Sequence, residues 1–262
     1  YTLGSDEEVG SIAGAGNISL GSFTLTSGGD NSNTTFSGTI TGTGGIDKNG
    51  SGKLSLSGAK SFTGDSTINA GTLESVGSAM SSNVSVANGA TYEIDLLSLS
   101  DVATFSKIIS GQGSFLKSGS GALTLDQPHT FTGLTTIGGG TLTMSGSGSF
   151  SDSTAVTVDS GATYVLGADD EVGSIAGAGS INLASFVLTS GGNNSDTTFS
   201  GEISGTGGIT KSGSGKLSLS GVKNFSGDTT VNTGTLESIG SAMISNVAVS
   251  SGATYAIDLT SP

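Results

Sequence analysis

Apolar and polar residues alternate along most of the chain in short runs, of which Lys53-Leu54-Ser55-Leu56-Ser57 and Ala155-Val156-Thr157-Val158-Asp159 are typical. A period of two places every second side chain on one face, so each run predicts a strand of about three to six residues with one face buried. Gly, Asn, Asp and Ser fill the gaps and predict tight turns. No segment keeps a helical period over about ten residues, so the chain is expected to be all-β. On this parity the inward residues are Leu54, Leu56, Leu73, Val84, Val86, Leu123, Leu125, Leu142, Val156, Val158, Leu217, Leu219, Leu236 and Val247. Their polar neighbours Ser55, Ser85, Thr124, Thr157 and Ser218 are expected to face out.

The pattern repeats on two scales. Tyr1-Thr2-Leu3-Gly4 returns as Tyr164-Val165-Leu166-Gly167, and the same offset of 163 residues carries Phe36 to Phe199, Lys53 to Lys216, Met80 to Met243 and Tyr92 to Tyr255. Residues 164–262 thus duplicate residues 1–99, with roughly seven in ten positions unchanged. Within the long period lies a shorter module, at residues 42–73, 111–142 and 205–236. All three copies keep the apolar alternation, an aromatic before Thr/Ser-Gly (Phe62, Phe131, Phe225) and the glycines; the middle copy diverges most. A sandwich puts consecutive strands among unrelated neighbours, whereas a β-solenoid stacks equivalent positions and tolerates duplication. The expectation is one continuous β-helix over residues 1–262 with no globular domain. Coils of about 20 residues at about 4.8 Å spacing would make a rod about 60 Å long.

The stretch from Gly44 to Leu73, G-G-I-D-K-x-G-x-G-K-L-x-L-S-G-x-x-x-F-T-G-x-x-x-I-N-x-G-T-L, resembles the passenger-associated transport repeat of bacterial autotransporters, as do Gly113 to Leu142 and Gly207 to Leu236. Asn83-Val84-Ser85-Val86 with Gly89-Ala90-Thr91-Tyr92, and Ala155-Val156-Thr157-Val158 with Gly161-Ala162-Thr163-Tyr164, look like the strand that follows such a repeat. The resemblance implies a right-handed parallel β-helix exported across the outer membrane to the bacterial cell surface by a C-terminal translocator barrel of the same parent chain. It also implies a structural or adhesive stalk, whose partners would be a ligand on a host or neighbouring cell or a second copy of itself. Because Tyr1 opens mid-pattern, the chain is expected to be a piece of a longer protein.

Composition narrows the remaining classes. Twenty-one acids against eight lysines give a formal charge of −13, and there is no Arg. A polyanion needs clustered positive charge, so nucleic acid is disfavoured as a partner. The absence of Cys removes disulfides and thiolate metal sites. No apolar run approaches the roughly 18 to 20 residues of a spanning helix, so membrane insertion by this segment is not expected. Asn-x-Ser/Thr triplets at Asn17, Asn33 and Asn83 are what so Asn- and Ser-rich a chain produces by chance.

Candidate chemistry is sparse. Gly50-Ser51-Gly52-Lys53 and Gly213-Ser214-Gly215-Lys216 look like phosphate loops, but Asp47 stands at the first glycine and Leu54 where a Ser or Thr would hold magnesium. They are read as turns. His129 is the sole histidine, at a position where the other copies carry Lys60 and Lys223, and is expected to be an exposed turn residue rather than a catalytic base. A β-helical polysaccharide lyase or hydrolase, the rival reading, needs clustered carboxylates or calcium-binding acids. Asp6-Glu7-Glu8 and its copy Asp169-Asp170-Glu171 are the best clusters, and their duplication reads as solvated acidic loops. No catalytic, cofactor-binding or metal-ligating residue is therefore assigned, no cofactor is expected, and the chain is not expected to be an enzyme.

Overall fold

A computed structural model describes residues 1–260. The described residues form 33 short strands and no helix. Contacts divide the chain into two compact units, Tyr1–Leu123 with His129–Gly133, and Thr124–Pro128 with the residues from Leu134 onward. Each is a parallel β-solenoid.

In the first unit, one ladder stacks Glu7–Val9, Leu25–Ser27, Ile46–Lys48, Ser66–Ile68, Val84–Val86 and Ile109–Gly111. A second stacks Thr34–Phe36, Lys53–Leu56, Thr72–Val76, Thr91–Asp95 and Ser114–Ser118. A third begins with Ile18–Ser19, Ile40–Gly42 and Lys60–Phe62. The chain visits the ladders in turn, and every described pairing is parallel, with Leu54 beside Leu73, Leu73 beside Tyr92 and Tyr92 beside Phe115. Like sits on like because one coil cannot enclose its own apolar face; stacking buries these side chains to 1% exposure or less.

The second unit repeats the plan. Thr135–Ile137, Ala155–Val158, Ser174–Gly177, Thr197–Phe199, Lys216–Leu219, Thr235–Ile239 and Thr254–Asp258 share one ladder. Thr141–Met144, Thr163–Val165, Ser180–Asn182, Glu202–Gly205 and Lys223–Phe225 share another, and Asp170–Val172, Leu188–Ser190, Ile209–Lys211, Thr229–Val231 and Val247–Val249 the third.

Of the expected inward residues all are buried except Val247, which is half-buried. Its counterpart Val84 is covered by Ile109 on the next coil, while Val247–Val249 ends its sheet among the described residues. Ser85 is exposed and Thr124 and Thr157 are half-buried, but Ser55 and Ser218 are buried, against expectation. The register is not at fault, since Leu54 and Leu56 are buried too. Both serines point outward and are covered by carboxylates of the next coil: the Ser55 hydroxyl donates to Glu74, and that of Ser218 to Glu237 at 2.6 Å.

The middle module is rotated by one face. Ile46–Lys48, which opens the first copy, lies in the first ladder, whereas its counterpart Ser114–Ser118 pairs with Thr91–Asp95 in the second. Glycines let the coils approach. A Cβ on Gly44 would meet the Phe23 carbonyl oxygen at 1.8 Å, and one on Gly207 the Phe186 oxygen at 1.9 Å, so neither position admits a side chain.

Candidate functional site

Five lysines point inward at the solenoid corners. Lys48 has the parity of Ile46, and its Nζ donates to the carbonyls of Asn49 (2.5 Å), Gly50 (2.8 Å) and Ala70 (3.2 Å). Lys211 repeats this with Ser212, Gly213 (2.8 Å) and Thr233 (3.4 Å), and Lys117 donates to Ser118 (2.7 Å) and Gly119 (3.0 Å). At the next corner Lys60 donates to Leu56, Gly58 and Val76, all at 3.1 Å, and Lys223 to Leu219 (3.2 Å), Gly221 (2.9 Å) and Ile239 (3.1 Å). Turn carbonyls aimed inward have no strand partner, and an ammonium with three donors satisfies them together. Burial pulls the Lys60 and Lys117 amines down to about 8. Facing the backbone, these amines are not available to a ligand.

Nor are the lysines of the phosphate-loop lookalikes. Lys53 is held by Glu74 (2.7 Å) and Glu93 (2.9 Å), and Lys216 by Glu237 (3.0 Å). The turn before each is built by asparagine: Asn31 Oδ1 accepts the Ser51 N–H and Asn194 Oδ1 the Ser214 N–H, both at 2.8 Å.

His129 is not an exposed turn residue. It is 2% exposed, its Nδ1 accepts the Ile109 N–H at 3.1 Å, and its ring lies 6.1 Å from Phe105 and 6.4 Å from Phe131. Accepting at Nδ1 puts the ring proton on Nε2. The alternative residues Lys60 and Lys223 are buried as well, so this position of the module faces inward in every copy.

The acidic loops are only partly solvated. Asp6 Oδ1 accepts the Thr24 N–H and Asp169 Oδ1 the Val187 N–H, both at 2.8 Å, so the first acid of each cluster ties one coil to the next. Asp170, expected in solvent, is 4% exposed; it accepts the Tyr164 hydroxyl at 2.5 Å and the Phe150 N–H at 3.2 Å. Burial pushes its carboxyl up to about 6. Among the described residues, no group of three or more His, Asp or Glu side chains is placed to hold a metal ion. No helix among them is long and apolar enough to cross a membrane.

What faces solvent is hydroxyl-rich. On the first ladder Thr26 lies beside Asp47, Asp47 beside Thr67 and Thr67 beside Ser85, all outward on their strands. Thr189, Thr210 and Thr230 form the same stripe in the second unit. Residues 46–74, 115–144 and 209–237 match the Passenger-associated-transport-repeat family. Three stretches of the chain are thus similar to that repeat.

Each matched repeat carries one of the buried lysines Lys48, Lys117 and Lys211. The outer ion pair varies as a unit: Lys53 with Glu74 and Lys216 with Glu237 become Ala122 and Thr143 in the middle repeat. A relative described as "Adhesin BmaC autotransporter", from Brucella suis biovar 1 (strain 1330), is 33% identical over 276 residues, covering 89% of this chain. The chain spans only 8% of that relative's length. No solved structure matches it significantly.

Proposed function

We propose that this chain is a stalk segment of an autotransporter adhesin passenger, exported across the outer membrane and displayed on the bacterial surface, where it extends or presents the adhesive face. The observation that carries the reading is the 33% identity to an autotransporter adhesin along 89% of the chain. The physical character agrees with it. Inside, every cation found is committed to backbone carbonyls; outside, hydroxyls and carboxylates form polar ladders suited to contact without chemistry. The absence of cysteine suits a chain that threads a pore, since a periplasmic disulfide would close loops beforehand. The partners of the reading are the translocator barrel of the parent chain and a ligand on a host or neighbouring cell. Catalysis has no place in it. Incubation of the purified chain with a panel of plant, bacterial and host polysaccharides is expected to release no reducing or unsaturated ends. Turnover of any of them would overturn the stalk in favour of a β-helical carbohydrate-active enzyme.

A further inference from the structure

The third ladder of the first unit is interrupted. Lys60–Phe62 ends one sheet and Val102–Phe105 begins another, and residues 77–83, which come between them in the coil order, make no β-bridge. That loop hangs on the Lys60 side: the Ser81 hydroxyl donates to the Lys60 carbonyl at 2.9 Å, and Met80 is buried beneath it. Opposite is an open groove of about 380 Å³, walled by Ser78, Met80 and Ser81 on one side and Val102, Thr104 and Lys107 on the other.

The backbone along this groove has an unused edge. The Asp101 carbonyl accepts the Ala122 N–H at 2.9 Å, on the side away from the groove. Backbone groups of successive strand residues point to alternate sides, so the N–H and C=O of Val102 and Thr104 point into the groove. No backbone hydrogen bond from residues 77–83 meets them. A row of unpaired donors and acceptors is a template for another extended chain.

The two ends of the edge differ in chemistry. At one, Val102 lines the groove and is 75% exposed. At the other stands Lys107, exposed and, of the eight lysines, the one that makes no hydrogen bond or ion pair among the described residues; the other seven are all engaged. We propose that this groove docks an extended segment of a partner protein, which joins Val102–Phe105 as an added strand, sets an apolar side chain against Val102, and places an acidic residue at Lys107. The net charge of −13 opposes close approach of two copies, which favours a foreign segment over self-pairing. The inference concerns one groove and stands whether or not the segment as a whole extends an adhesin.

A fluorescently labelled peptide Gly-Ile-Thr-Val-Thr-Glu, which is no segment of this chain, provides the probe, because it alternates as the chain's own strands do and ends in a carboxylate. Titrated with the full chain, it is expected to show saturable anisotropy. Thr104→Pro removes one groove-facing N–H at an edge, where strands tolerate proline, and should weaken binding by about tenfold or more with an unchanged circular dichroism spectrum. Lys107→Glu should weaken it by about threefold to tenfold. A peptide N-methylated on alternate amides should fail to bind the unaltered chain, a readout that does not depend on any variant folding. Absence of saturable binding, or binding indifferent to both substitutions and to N-methylation, would overturn the proposal. Dimerisation of the chain in sedimentation that Thr104→Pro abolishes would also overturn it, by making the occupant a second copy.

Discussion

Lys48, Lys117 and Lys211 are each followed by one residue and then glycine, as Lys48-Asn49-Gly50, Lys117-Ser118-Gly119 and Lys211-Ser212-Gly213. The glycine turns the corner with positive φ, at 67°, 71° and 67°, and the lysine reaches back to its carbonyl. A lysine on the parity of a buried isoleucine or phenylalanine, just before such a turn, was the signal available in the sequence. It was missed because lysine is ordinarily read as an outward base. His129 was misjudged for the same reason, since its alternation with Lys60 suggested solvent when the shared property is a long polar side chain at an inward corner. Burial of Asp170 makes the stability of the chain depend on pH. Its carboxyl rises from an ordinary 3.8 to about 6 in the folded chain, chiefly through burial, so the folded state binds the proton more tightly than the unfolded one. The stabilisation is therefore complete below about 3.8 and is lost as pH rises through about 6, a change of about 2 to 3 kcal/mol. Asp170→Asn keeps an acceptor for Tyr164 and Phe150 but cannot titrate. Thermal melts from pH 4 to pH 7 should show the native chain losing stability relative to this variant as pH rises, and parallel curves would refute the assignment.

At the scale of the strand, period-two alternation located the core because one face of every strand is sealed by the coils on either side. It could not locate the rotation of the middle module, since all three ladders accept the same alternation and only pairing reveals which one a strand joins. Nor could it tell Val84 from Val247, which share a local sequence context and differ in what lies above them. That difference predicts unequal costs. Leu123, with no exposed surface, should lose about 2 to 5 kcal/mol on replacement by Ala, because neighbouring coils cannot collapse into the cavity. Val247→Ala, at a half-buried position, should cost about 1 kcal/mol or less. Urea denaturation of the two variants measures both, and equal losses would mean that coverage by the next coil does not set the energy.

For the molecule as a whole, an acidic, hydroxyl-rich exterior covers an interior whose five inward lysines are spent on its own backbone. The net charge of −13 opposes edge-to-edge association by mutual repulsion. The transport repeat was legible from the glycine and aromatic spacing of the modules, which the turns and close coil approaches require. The binding partner was not, because a stripe such as Thr26, Asp47, Thr67 and Ser85 has no ligand geometry peculiar to one target. The adhesive role is tested by the attachment of bacteria displaying the intact parent protein, compared with bacteria displaying the parent from which residues 1–262 have been removed, at matched surface levels. Removal is predicted to reduce attachment to host cells or to neighbouring bacteria severalfold. Attachment that is undiminished in both assays would contradict the claim that this segment extends or presents the adhesive face.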